Sequence, residues 1–315
     1  MRNAFADEVT KIAAEDSRIV LLSGDIGNRL FDNLRNQFPK QFINCGIAEA
    51  NMMSVAAGMG LSGLRPIVYT ITPFTTTRCL EQIRVGVAYH DSPVIIVGTG
   101  SGLSYASLGP THHSLEDFAI LRAIPNLQVL APWDANSLRV LLRLAIESNK
   151  PSYIRIGKKG EPPILPLESV PPIASAVSLT AGTDVCLVAV GTMAKEAQEA
   201  AEDLKALGIS AEVALIHSIK PWPINFIDSL LQRHSAFVTI EEHALTSGFG
   251  EAFVAYLSRK KSNAAIEPLG APDIFMPFVG SQSFARNYLN INSKSIVRVA
   301  LNIIKSRRNG SSVIC

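Results

Sequence analysis

Short apolar runs alternate with amphipathic stretches along the first half of the chain. Residues 18–23 (RIVLLS), 41–44 (QFIN), 65–70 (RPIVYT), 93–98 (PVIIVG), 127–131 (LQVLA) and 152–156 (SYIRI) have the length and apolar, β-branched content of strands. Between them, residues 4–15, 48–61, 77–89, 115–124 and 135–148 carry apolar positions at helical spacing. Strands that are apolar on both faces require a sheet covered by helices on both sides. The pattern predicts an α/β unit with a mostly parallel sheet over residues 1–160.

Residues 161–176 (EPPILPLESVPPIASA) hold five prolines. Proline lacks the amide that a helix interior or a central strand needs, so residues 161–178 read as a linker. Alternation then resumes over residues 179–315. Strands are expected at 185–190, 210–215 and 237–241, and helices at 195–207 and 251–259. The basic KSRR at 305–308 reads as a solvated tail after the last helix. The fold class is α/β, with two three-layer domains of which the second is smaller.

Composition narrows this further. The 315 residues are 47% hydrophobic and 18% charged, with a net charge of +2. Such a chain buries large cores, and its charge balance gives no pull towards nucleic acid or an anionic membrane. Its four cysteines are scattered without a CxxC pair, which suggests a reducing, cytoplasmic setting and no zinc site. The N-terminus lacks the apolar core of a signal peptide, and the longest apolar runs are strand-length, so no membrane span is expected. A mean hydropathy of +0.22 fits either a large buried core or apolar surface covered by another subunit.

Two segments carry candidate chemistry. In FINCGIAEANMMSVAAGMGLSG, a strand runs into a glycine and a helix begins at once, placing Glu49 in its first turn. An acid there complements the helix dipole. It also stands at the carboxyl end of a strand, where α/β sheets bind ligands. Small residues along the same helix imply close packing against another helix. The second segment follows the strand at 93–98 and leads through Gly109-Pro110-Thr111 to His112 and His113, whose imidazoles can donate hydrogen bonds or move protons near neutral pH. Gly98, Gly100 and Gly102 do not complete a dinucleotide fingerprint, because no helix opens on the last glycine; they read as a mobile loop. Gly24-Asp25-Ile26-Gly27 resembles only the start of a diphosphate–magnesium motif, and no metal ligands are predicted.

Together GIAEANMMSVAAGMG, GPTHHSLEDFAILRAIPNLQVLAPWDA and EEH…SGFGE resemble the second half of transketolase, and more loosely the deoxyxylulose-phosphate synthases. The resemblance covers residues 1–310. It implies a pyrimidine-binding domain of the thiamine-diphosphate enzymes followed by a transketolase C-terminal domain. The half that binds diphosphate through Mg²⁺ with a GDG motif is absent, so the chain resembles the small subunit of a split transketolase. Its implied partner is a large subunit that supplies that domain and holds most of the Mg²⁺ contacts, in an α2β2 heterotetramer.

The resemblance also implies roles. Glu49 matches the glutamate that bonds the cofactor's pyrimidine and favours its reactive imino form. Phe74, the only aromatic in 72–78, and Gln82 are expected at the cofactor. His112 matches a histidine that touches the donor sugar, with His113 beside it. Arg2, Arg155 and Lys158 stand where substrate-phosphate cations are expected. Leu108 and Gly100 depart from the pattern, replacing an aspartate and a histidine that contact sugar. A donor unlike the usual pentose phosphates, modified or nucleotide-linked, is therefore expected. Alternatives are a decarboxylating synthase, a 2-oxoacid dehydrogenase β subunit, or a subunit without catalysis.

Overall fold

The computed structural model describes residues 1–27 and 29–308. Its strands are β1 (Ile19–Ser23), β2 (Phe42–Asn44), β3 (Arg65–Ile71), β4 (Ile95–Thr99), β5 (Gln128–Leu130), β6 (Ser152–Ile156), β7 (Val177–Thr180), β8 (Val185–Val190), β9 (Ala211–Ile216), β10 (Ser218–Lys220), β11 (Ala236–Ala244) and β12 (Ala265–Ala271). Helices α1 (Arg2–Glu15), α2 (Asp32–Gln37), α3 (Glu49–Leu61), α4 (Thr72–Thr75), α5 (Asp117–Arg122) and α6 (Ala135–Glu147) belong to the first half. Helices α7 (Ala194–Ala206), α8 (Ile224–Arg233), α9 (Phe249–Arg259), α10 (Gln282–Tyr288) and α11 (Ser293–Arg308) belong to the second. No helix among the described residues is long and apolar enough to cross a membrane.

The first sheet runs in the order β10-β5-β6-β4-β3-β1-β2 and the second in the order β12-β11-β8-β9-β7. Every pairing is parallel except those of the edge strands β10 and β7. The two α/β units are therefore present, with one addition: β10, from the second half, extends the first sheet against β5. Three residues before a proline are too short to show a strand pattern. β7 likewise begins inside the stretch expected to be linker.

Alternation along β1 explains the layers. Ile19 and Leu21 turn to one face, where they meet Phe5, Val9 and Ile12 of α1 and Leu138 and Leu142 of α6. Val20 and Leu22 turn to the other, against Met52 and Met53 of α3. That second core continues without a break to Val188, Ile216 and Phe253 of the second unit. Burying each such side chain stabilises by about 1.5–3 kcal/mol, so the shared core fixes the two sheets relative to one another. A third core sits between β8, β9 and β11 and the helices α7 and α11.

Part of the small-residue run on α3 is used inside the chain. A Cβ on Gly60 would lie 2.2 Å from Ser92 Oγ, and one on Gly86 would lie 3.2 Å from Ala57 Cβ. Gly58 and Val55 face outward instead, and nothing lies within 4 Å of the position a Gly58 Cβ would take.

Two expectations need correction. Residues 77–89 do not form one helix: a turn at α4 passes through Thr77–Cys79 into a wide π-type helix at Gln82–Tyr89. The threonines are the cause. The hydroxyls of Thr76 and Thr77 bond back to the carbonyls of Thr72 and Pro73 at 2.8 and 2.9 Å, which competes with helical pairing. KSRR is not a tail either; it forms the last turn of α11.

Candidate active site

β1 lies where the strand order reverses, with β2 on one side and β3 on the other. Ligands of open α/β sheets bind at the carboxyl ends of strands beside such a switch. Glu49, the first residue of α3, is delivered there and is 4% exposed. Its neighbours approach closely: a Cβ on Gly24 would meet Thr70 Oγ1 at 3.2 Å and Glu49 Cγ at 3.6 Å. A side chain at Gly24 would crowd the Thr70 hydroxyl and touch Glu49.

A buried carboxylate needs partners. Arg78 provides one, donating from Nη1 to Glu49 Oε2 at 2.9 Å while staying 46% exposed. Among the described residues Oε1 accepts no hydrogen bond. The Arg78 guanidinium also stacks 4.3 Å over the Phe74 ring. Phe74 in turn meets the His112 ring edge-on at 5.4 Å, and His112 lies 6.3 Å from Tyr105. Lys158 Nζ sits 4.8 Å over the Tyr105 ring. A continuous run of contacts thus joins Glu49, Arg78, Phe74, His112, Tyr105 and Lys158. Arg78 and Tyr105 are the members that the motifs did not single out.

Tyr105 occupies the space beside Gly100, whose φ is +74°, and a Cβ there would lie 1.8 Å from the Tyr105 ring. Gly100, expected to stand in place of a sugar-binding histidine, thus makes room for an aromatic ring. Leu108, the other departure, is half exposed on the same loop.

Arg155 and Lys158, one of which is expected to face substrate, take different environments. Arg155 is buried, donating from Nη2 to the carbonyls of Ser114 and Glu242, both at 2.7 Å. It is 3.1 Å from the Asp117 carboxylate and stacks 4.3 Å over Phe118. Its Nη2 bridges the two units, and Lys158 alone of the pair stays near the open side. His113 is buried as well, with burial holding its imidazole below the usual value, whereas His112 is half-buried and pairs with Thr111 Oγ1 at 2.9 Å. Gln82 is half-buried at the start of the π-type helix, one turn beyond Arg78.

Some of the buried polar atoms without partners lie at the strand ends. Tyr69 Oη, Thr70 Oγ1 and Thr99 Oγ1, at the ends of β3 and β4, have none, nor has Nε of Arg2. Arg2 and Thr99 both act on the Tyr69 hydroxyl, so these three lie together on the α1 side of the sheet, whereas Thr70 turns to the other face beside Gly24 and Glu49. A cavity of about 650 Å³ opens at the ends of β1 and β2, lined by Ser23, Asp25, Arg29 and Asn44 among others. Among the described residues no group of three or more His, Cys, Asp or Glu could hold a metal ion.

Comparison with known proteins gives a consistent picture. The family model for the transketolase pyrimidine binding domain matches residues 1–162, and that for the transketolase C-terminal domain matches residues 174–296. One subunit of the apulose-4-phosphate transketolase of Phocaeicola vulgatus is 31% identical over 306 residues, covering 96% of this chain and 97% of that protein. The 1-deoxy-D-xylulose-5-phosphate synthase of Heliobacterium modesticaldum is 32% identical across 98% of the chain, which spans only 48% of the synthase. A solved split-gene transketolase, an inactive β4 tetramer, superposes with a TM-score of 0.87 at 30% identity, over 96% of this chain and 97% of that one.

Proposed function

The chain belongs to the transketolase family, and from that premise we propose that it is the small subunit of a thiamine-diphosphate-dependent transketolase completed by a large subunit. In this reading it helps transfer a two-carbon ketol unit from a ketose, phosphorylated or otherwise modified, to an aldose acceptor. The observation that carries the proposal is Glu49: a carboxylate buried at the switch point, held on one oxygen by Arg78 and open on the other.

The residues present fit one end of the cofactor. In this reading Glu49 Oε1 accepts from a pyrimidine nitrogen, and Phe74 and Gln82 are assigned to the same cofactor. The Thr70 hydroxyl, which like Glu49 neighbours Gly24, is a second polar group on that side. Thiamine diphosphate, when bound, supplies the electron sink that cleavage beside a ketose carbonyl requires. The protein's share is to keep one carboxylate dry and aimed. Arg78 holds that carboxylate against rotation. His112 offers a half-buried imidazole to donate to a sugar hydroxyl or to move its proton. Lys158 and Arg2 are placed to attract an anionic substrate group, with Lys158 reaching over Tyr105. Arg155 and His113, both turned inward, are assigned to support.

The domain plan proposed is a pyrimidine-binding unit over 1–160, a connecting segment over 161–178 and a C-terminal unit over 179–315. The diphosphate and Mg²⁺ are assigned to the large subunit, in an α2β2 assembly in the cytoplasm. The inactivity of the β-only tetramer of the split-gene neighbour supports a site that needs another subunit. Mixing the chain with a large subunit and thiamine diphosphate should yield two-carbon transfer from a ketose to an aldose without release of CO₂. Decarboxylation of pyruvate instead would move the chain to the synthase reading, and no turnover with cofactor bound would contradict both.

A further inference from the structure

We propose that Glu242, which belongs to the second unit, is a positioning residue that holds the loop bearing Tyr105 and His112 in its working shape. This rests on the reading that the loop faces substrate.

The loop between β4 and α5 has little regular structure of its own beyond a short 3-10 turn at Ala106–Leu108. Expected to be mobile from its glycines, it is instead tied at several points to the second unit. Glu242 lies on β11 and is 2% exposed. Its Oε1 accepts the amide of Leu103 at 2.7 Å, across 139 positions of sequence. Gln282 donates to both carboxylate oxygens at 2.9 and 3.0 Å, and Arg286 donates from Nε. Arg286 is itself held by Glu196 at 3.0 Å. A buried carboxylate with this many donors is fixed in place, so it acts as a rigid anchor for whatever it binds.

The loop is shaped to receive it. Gly102 has φ +59°, and a Cβ there would come within 2.2 Å of Glu242 Oε1 and 2.9 Å of its Cγ and Cδ. A side chain at Gly102 and the carboxylate of Glu242 cannot occupy the same space. The main chain of Glu242 contributes too, because Arg155 bridges its carbonyl to that of Ser114, which closes the far end of the loop. The Gly280 amide bonds to Ala106 O at 3.3 Å, and Leu103 and Ala106 bury themselves among Met276, Ala285 and Leu289. Tyr105 and His112 sit on a loop whose inner side is moulded by the second unit. That unit contributes none of the Glu49-to-Lys158 run, and the anchor gives it a defined part in the site.

Hydrogen exchange of the full chain tests this without a partner, and kinetics of the reconstituted complex give a second readout. Glu242→Ala should raise exchange of the amides in residues 101–113 at least tenfold while protection in β1, β3 and α7 stays unchanged. Gly102→Ala, which leaves the charge intact but takes its space, should do the same. Glu242→Gln, which keeps an oxygen for the Leu103 amide, should return exchange to within about threefold of the native chain. In the complex, Glu242→Ala should raise KM for the ketose about tenfold, and Glu242→Gln should restore most of it. Unchanged loop exchange in Glu242→Ala, or an equal rise throughout the chain, would overturn the proposal. If the native complex shows no ketol transfer while the loop loosens as described, the functional reading fails and the anchor stands.

Discussion

Arg78 Nη1 lies 2.9 Å from Glu49 Oε2, and the same guanidinium rests on the Phe74 ring. The carboxylate is buried and the cation is half exposed, so the pair is neither a surface ion pair nor a fully desolvated one. Its effect is orientation: with Oε2 held, Oε1 points in one direction only.

Removing Arg78 should therefore weaken cofactor binding more than it weakens the fold. A charge-assisted bond at such a site contributes about 1–2 kcal/mol, so Arg78→Ala should raise the half-saturating concentration of thiamine diphosphate about tenfold in the reconstituted complex. Arg78→Lys keeps the charge but loses the planar stack on Phe74, and should fall between the two. A saturation curve for Arg78→Ala that overlays the native one would contradict this role.

The adjacent histidines should separate cleanly. His112 is half-buried at the open side and His113 is buried beneath the loop. His112→Asn should lower the ketol-transfer rate about 100-fold with the urea midpoint unchanged, in line with loss of a proton-transfer or donor group. His113→Asn should instead lower the urea midpoint, by about 1–2 kcal/mol of stability, with a smaller effect on rate. The reverse pattern would exchange their assignments.

Stability should depend on pH in a way set by three buried groups. Burial pushes His217 and His243 down to about 4 and Glu241 up to about 7. Each histidine stays neutral in the fold while the unfolded chain takes up a proton near 6.5, so its contribution is full above 6.5 and is lost as pH falls towards 4. Glu241 runs the other way. The unfolded chain ionises near 4.5, so stability is lost as pH rises from there to about 7. Between pH 7 and 5 each histidine removes about 2 kcal/mol and Glu241 restores about 2 kcal/mol.

Urea unfolding at pH 7 and pH 5 should then show a net acid loss of about 2 kcal/mol. Glu241→Gln should steepen that loss, although it lowers stability at both pH values by giving up one acceptor for the amides of Phe249 and Gly250. His217→Phe, which keeps the ring beside Trp133, should flatten it. Identical slopes in all three proteins would show that these groups do not titrate as described.

How much of this was legible in the sequence follows from the range of each contact. Glu49 was visible because strand, glycine and helix start are consecutive. The parallel sheets were visible for the same reason, since each βα unit is local. Arg78 reaches Glu49 across 29 positions from a threonine-rich stretch that disguises its helix. The Glu242–Leu103 contact joins two units that the prolines of residues 161–176 set apart in the sequence. Arg155 and Lys158 lie three residues apart, and only packing against Asp117 and Phe118 shows that one turns inward. The strand β10 left no pattern because it is three residues long and borrows its sheet from the other unit.

The most direct measurement compares the native chain with Glu49→Ala and Glu49→Gln, each mixed with the large subunit, in thiamine-diphosphate-dependent two-carbon transfer at saturating cofactor. Both variants should assemble as the native chain does, and both should lose at least about 100-fold in rate, because neither offers a carboxylate to the pyrimidine. Assembled complexes of Glu49→Ala that turn over at the native rate would contradict the central role assigned to this residue.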